Sequence, residues 1–141
     1  MAAERRPPTI SELPRDECER LLATHAVGRL ALVVDDQPHI LPVNYAVAGH
    51  GEVVFRTAAG SLLTEASLRR VSFEVDAIDA EAHEGWSVVV VGYCRDIADA
   101  IDADSVAMRA LPLETWAPGS RDQWFKVVPT DVTGRRIAPG S

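Results

Sequence analysis

Between Phe55 and Ser61 the chain runs Phe55-Arg56-Thr57-Ala58-Ala59-Gly60-Ser61, and the apolar pair Leu62-Leu63 follows. If a strand ends near Thr57 and a helix opens after Ser61, the first N–H groups of that helix lack partners and carry partial positive charge. Such a turn is a ready site for an anion. Thr57 and Ser61 would add hydroxyl donors, and Arg56 a charge-assisted, bidentate contact. A phosphate group fits this set. The same residues also have a plainer reading, with Ser61 as a helix N-cap and Arg56 as a solvated strand residue.

Further along, Trp116 and Arg121 frame Ala117-Pro118-Gly119-Ser120. The indole could stack on a flat ring or plug an apolar seam between subunits. Arg121 could meet a ligand or pair with an acid such as Asp122. Trp86 and Trp124, at the starts of apolar runs, read as core or interface anchors. Other chemistries find little support. His25, His39, His50 and His83 are scattered, with no His-x-His or His-Glu-x-x-His spacing for a metal. No serine sits in a nucleophile-elbow context. Cys18 and Cys94 lie far apart and read as small buried hydrophobes. Without an acid–base or nucleophile pair, the pattern suits chemistry carried by a cofactor, and it suits a non-catalytic binder equally.

Composition narrows the partners. The 141 residues carry a net charge of -7, with Lys126 the one lysine among 14 basic residues, so nucleic acid is not an expected partner. A local basic pocket for one phosphorylated ligand is compatible with that balance. No apolar run approaches the roughly 20 residues of a membrane helix, and Met1–Ile10 lacks the apolar stretch of a signal peptide. A cytoplasmic protein is expected. A flexible arm over 1–10, one domain over 11–138 and a short tail over 139–141 complete the predicted organisation.

The elements that must position these residues follow from periodicity. Ser11 reads as the N-cap of a helix with Pro14, Asp16 and Glu17 in its first turn, an apolar stripe of Leu13, Cys18, Leu21 and Leu22, and an end near His25. Strands are predicted at Arg29–Val34, His39–Val47 and Glu52–Thr57, joined by turns at Asp35-Asp36-Gln37 and Gly49-His50-Gly51. Pro42 belongs at a bulge or an edge. A short helix is predicted from Leu62 to about Arg69, with Leu63 and Ala66 inward. A strand over Val71–Val75, an acidic loop over Asp76–Glu84 and a long strand over Trp86–Ile97 come next. A helix over Asp102–Leu111, an irregular stretch over Pro112–Ser120 and a final strand in two pieces, Gln123–Val128 and Val132–Ile137, bent at Pro129, close the chain. Short antiparallel strands with few helices predict a mainly β fold, a closed or split barrel.

The order of these elements and four local motifs resemble the pyridoxamine 5′-phosphate oxidase-like, FMN-binding split β-barrel family, over roughly Ser11–Ile137. Leu41-Pro42-Val43-Asn44-Tyr45 stands where that family's second strand runs along the flavin. Phe55-Arg56-Thr57-Ala58-Ala59-Gly60-Ser61 is similar to its phosphate-holding turn. Ser87-Val88-Val89-Val90-Val91-Gly92 resembles its fifth strand, and Trp116-Ala117-Pro118-Gly119-Ser120-Arg121 its Trp-then-Arg segment. Many relatives carry Lys or Arg just after the Gly-Ser pair, where this chain has Leu62 and Leu63.

The resemblance implies an antiparallel split barrel with flanking helices and an FMN-dependent oxidoreductase acting on a small molecule as a homodimer. The cofactor-binding residues it implies are Leu41, Pro42, Val43, Asn44, Phe55, Arg56, Thr57, Ser61, Leu62, Ser87, Trp116 and Arg121. Two alternatives stay open: a flavin-binding or sensing module without turnover, or a member without cofactor, and a reductase using the deazaflavin F420.

Overall fold

The computed structural model describes residues 6–58 and 60–140. Most of the expected arm (Met1–Arg5), Ala59 of the turn and Ser141 of the tail lie outside the described residues. Among the described residues, seven strands form one antiparallel sheet: β1 (Thr9–Glu12), β2 (Val27–Val34), β3 (Gln37–Val47), β4 (Val53–Thr57), β5 (Arg70–Asp79), β6 (Glu84–Asp96) and β7 (Gln123–Ala138). Two helices flank them, α1 (Arg15–Leu22) and α2 (Ala103–Arg109). The strand order is β1-β7-β4-β3-β2-β5-β6, and β6 also pairs with β7, so six strands close into a barrel with β1 added at the outer edge.

Strand alternation builds the interior. In β2, Gly28, Leu30, Leu32 and Val34 are buried while Arg29 and Val33 are exposed. The inward residues of β2–β7 meet around three fully buried phenylalanines, Phe55, Phe73 and Phe125. The Phe55 and Phe125 rings stack at 5.4 Å, and Tyr45 meets Phe73 edge-on at 4.7 Å. A second, smaller cluster lies outside the barrel. There Val54, Ile97, Met108 and Leu113 pack α2 and the segment after it against β4. Both turn predictions hold: Asp35 and Asp36 take the positive φ of a two-residue hairpin, and Gly51 sits at φ +84°.

The start of the chain differs from the sequence reading. Ser11 is not an N-cap; it lies in β1, opposite Arg136. Leu13 precedes a proline and is therefore held extended, and the helix begins only after Pro14, ending at Leu22 rather than near His25. The free edge of β7 captures Thr9–Glu12, a tertiary pairing that local capping signals do not encode. The acidic loop is likewise shorter than expected. Asp76–Asp79 continue β5 and only residues 80–83 turn, because Asp76–Asp79 pair in register with Glu84–Ser87 of β6, a partner that local composition does not reveal. The helix after Ser61 is a 3-10 segment, Leu62–Ala66, whose Leu62, Leu63 and Ala66 pack on the barrel core.

The last strand is continuous through Pro129. The register shifts between Val91 and Gly92, so Gly92 faces Pro129 while Val91 faces Asp131, and Thr130 is the extra residue of a bulge. A Cβ on Gly92 would stand 2.1 Å from the Val128 carbonyl oxygen, so the bend requires glycine. Among the described residues, no helix is long and apolar enough to cross a membrane.

Candidate functional site

The site begins where β3 and β4 part. Their last ladder pair is Tyr45 with Phe55. The next pairs in register would be Asn44 with Arg56 and Val43 with Thr57, yet Arg56 pairs only with Trp124 and Thr57 only with Gln123 of β7. From Gln37 to Asn44, β3 has a neighbour on one side only, β2. Half of its backbone groups there face away from any ladder. Pro42 lies in this one-sided stretch, the edge position expected of it. The two strands therefore diverge as a wedge, with Leu41–Asn44 on one flank and the turn after Thr57 on the other. Val43 and Leu41 point toward the core, whereas Pro42 and Asn44 belong to the outer face.

The turn itself is ordered by its hydroxyls. Thr57 is 4% exposed, and its Oγ1 lies 2.8 Å from Ser61 Oγ. Ser61 does not cap the following segment with its side chain; instead its carbonyl accepts from Thr64 N–H at 3.0 Å and from Thr64 Oγ1 at 2.6 Å. Gly60 supplies φ +80° at the corner. Phe55 lies beneath this corner in the core, and Leu62 packs at its edge.

Arg56 is not part of the same cluster. Alternation sends Phe55 and Thr57 to the barrel side of β4 and Arg56 to the face that carries Val54 and the second core. There its Nε donates to the Arg121 carbonyl at 2.8 Å and its Nη1 to the Leu113 carbonyl at 3.4 Å. The guanidinium also lies 4.7 Å from the Trp124 ring centre, its opposite number across the ladder. Arg56 thus fastens the irregular 113–121 segment onto the sheet. A second fastening comes from Asn44, whose Oδ1 accepts from the Trp116 N–H at 2.9 Å. Trp116 itself is 70% exposed. Arg121 is half-buried and donates to the Pro118 carbonyl at 3.0 Å, while Asp122 takes the Ser120 hydroxyl instead.

The structure accordingly joins the expected site residues in two groups, Thr57 with Ser61 and Leu62, and Asn44 with Arg56, Trp116 and Arg121. Ser87 belongs to neither. It stands on β6, three strands from β3 in the sheet order, a separation of about 14 Å at ordinary strand spacing. It lines a 520 Å³ hollow with Glu12, Thr133 and Arg135. Trp86 and Trp124 pack against the two cores, and Trp86 meets the His25 ring edge-on at 5.3 Å.

Between the wedge and Ser87 runs an outer face that the sequence reading did not single out. Arg29 reaches Glu74 at 3.1 Å and Asp76 at 3.4 Å. Partial burial, and then the neighbouring Asp76, push the Glu74 carboxyl up to about 6, with Arg29 opposing. Beside this cluster Ala31, Val33, Pro38, Ile40 and Val91 border a shallow groove of 390 Å³. Ile40 is 71% and Val33 52% exposed, so the face is apolar as well as open. Strict alternation could have revealed it, since Ala31, Val33 and Ile40 all fall on outward positions.

Comparison with known proteins agrees with this architecture. The uncharacterised protein Rv0080 of Mycobacterium tuberculosis is 35% identical over 138 residues, 94% of this chain and 88% of that protein. The FAD binding protein from Mycobacterium smegmatis is 38% identical, with a TM-score of 0.76 over 89% of this chain and 98% of its own. A FAD-binding protein from Mesorhizobium loti is 26% identical, with a TM-score of 0.73 over 93% and 98%. The split-barrel fold expected from the sequence is thus the fold observed. The profile of the Pyridoxamine 5'-phosphate oxidase family matches residues 14–136, and the chain belongs to that family.

Proposed function

We propose that the chain binds a flavin nucleotide and acts as an oxidoreductase on a small molecule, as a homodimer in the cytoplasm. The observation that carries this reading is the parting of β3 from β4 at Tyr45 and Phe55, beside the paired hydroxyls of Thr57 and Ser61. A flat polar ring fits against a strand edge whose backbone groups lack ladder partners, so Leu41–Asn44 would line the flavin ring. Thr57, Ser61 and the amides after Ser61 would take the phosphate, exchanging their mutual hydrogen bond for bonds to the anion. Leu62 closes the apolar side, because its packing on the core excludes the cation that many relatives place there.

Arg56 and Asn44 serve as positioning residues. Through the Arg121 and Leu113 carbonyls and the Trp116 amide they hold Trp116 and Arg121 on the substrate side. Ser87 reaches the ring only across a dimer interface, and the exposed apolar face around Val33 and Ile40 is where a second copy would lie. When bound, the flavin would supply hydride or electron transfer, with the protein contributing position and electrostatics. The buried, unbridged Cys18 and Cys94 suit a reducing compartment.

FMN is the smallest cofactor these residues call for. FAD is the second reading, favoured by two similar proteins named for FAD binding. The test is the absorption spectrum of purified protein, with mass spectrometry of whatever it releases. Yellow protein releasing FMN or FAD supports the reading. Ser61→Ala and Thr57→Val should each weaken flavin affinity by about 10- to 100-fold, the value of a hydrogen bond to a charged group. Colourless protein that takes up neither FMN, FAD nor F420 in titration overturns it.

A further inference from the structure

The turn after Thr57 offers a phosphate two hydroxyls but no cation. A phosphate monoester carries about −1.5 to −2 charges at neutral pH, and its strong partners are charge-assisted bonds to arginine or lysine. Beside Thr57 and Ser61, Leu62 packs on the core. Arg56 is turned to the other face of β4, where the Arg121 and Leu113 carbonyls hold it.

Most cations elsewhere are already engaged. Arg29 pairs with Glu74 and Asp76, Arg70 lies over the Tyr93 ring, and Arg69, Arg109 and Arg121 donate to backbone carbonyls. Among the described lysines and arginines, Arg95, Lys126 and Arg135 have no hydrogen bond, ion pair or ring contact. Arg95 and Lys126 stand opposite each other on the far limb of the β6–β7 hairpin, past the bulge, where Lys126 also faces Val54 and acts on Asp102.

Arg135 has a different setting. It is exposed and lies directly opposite Ser87 in the ladder, with Thr133 two residues away on the same face, and all three line the 520 Å³ hollow. Glu12 of β1 is its neighbour on the other side, yet no ion pair joins the two, so the guanidinium keeps its full set of donors. Its own Thr57–Ser61 turn is out of reach, because Thr57 pairs with Gln123 at one end of β7 and Arg135 lies near the other. In the proposed dimer Ser87 meets the flavin of the opposing copy, and Arg135, its neighbour in register, crosses the interface with it.

We propose that Arg135 of one copy supplies the cation for the phosphate of the flavin held by the other. In this assignment, which rests on the flavin-binding dimer, each site is completed by both copies, with hydroxyls from one turn and a guanidinium from the opposite hollow. A turn without a cation then binds its phosphate fully only in the dimer.

The test compares FMN with riboflavin, which lacks the phosphate, by quenching of flavin fluorescence on titration into flavin-free protein. Arg135→Gln should weaken FMN binding by about 10- to 100-fold and riboflavin binding by less than about twofold. Arg135→Lys should recover part of the FMN affinity, and Arg95→Gln should match the parent. Mixed dimers read the sharing. A dimer joining an Arg135→Gln copy to a Ser61→Ala copy has one site with both groups intact only if the arginine acts across the interface, so it should bind one FMN with parental affinity. Parental FMN affinity in Arg135→Gln overturns the assignment. So does an equal loss for FMN and riboflavin, which puts the guanidinium at the ring, or a mixed dimer without a parental site. A parent that binds neither flavin removes the flavin site itself and this assignment with it, an outcome distinct from FMN binding that survives the loss of Arg135.

Discussion

At the scale of single residues, the structure divides side chains that are adjacent in sequence. Arg56 and Thr57 are neighbours, yet one fastens a loop outside the barrel and the other lies inside the wedge. The Arg29–Glu74–Asp76 cluster is a second local feature with a measurable consequence. Glu74 holds its proton more tightly in the folded state, near 6, than its ordinary value of 4.5. The folded chain therefore binds more protons than the unfolded chain between those values, and stability falls as pH rises through that window. Thermal unfolding from pH 4.5 to 6 should show this slope, and Glu74→Gln should flatten it. An unchanged slope in the variant would assign the dependence to other groups.

At the scale of elements, the long hairpin of β6 with β7 depends on one bulge. The chain bends where Gly92 meets Pro129, and the space for a side chain at Gly92 is filled by the Val128 peptide. Backbone cannot yield as a flexible side chain can. Gly92→Ala should cost about 1–3 kcal/mol, the usual penalty for overpacking, read as a lower denaturant midpoint with an unchanged slope. The same bulge explains why the sequence suggested a strand in two pieces. Proline and an irregular pattern mark a bend, but whether pairing resumes across it depends on the partner strand.

At the scale of the whole molecule, the closed barrel satisfies its interior and leaves one outer face apolar. A domain of this size rarely exposes a patch centred on residues such as Ile40 and Val33 without a partner. The proposed dimer makes Ile40→Glu a direct test. Sedimentation should show a dimer for the parent and a monomer for the variant, with circular dichroism unchanged because Ile40 lies outside the core. A parent that sediments as a monomer removes the interface and the shared site together.

Sequence periodicity was enough to place six of the seven strands, both short turns, α2 and the inward leucine and alanine after Ser61. Each follows from local rules, namely alternation, turn chemistry and capping, that operate over a few residues. It also named Thr57 and Ser61 as hydroxyl donors of one turn, and the structure sets their oxygens 2.8 Å apart. What local pattern does not carry is pairing between distant segments. Ser11 has the chemistry of an N-cap, yet the free edge of β7 draws it into a strand. Arg56 has the chemistry of a phosphate ligand, yet its position on β4 turns it toward Leu113 and Arg121. The wedge beside Leu41–Asn44 exists only because β4 stops pairing with β3 at Phe55 while it stays paired with β7 to Thr57. Edges are properties of the closed barrel, since which backbone edge is covered and which is left open is settled only when segments distant in sequence pair.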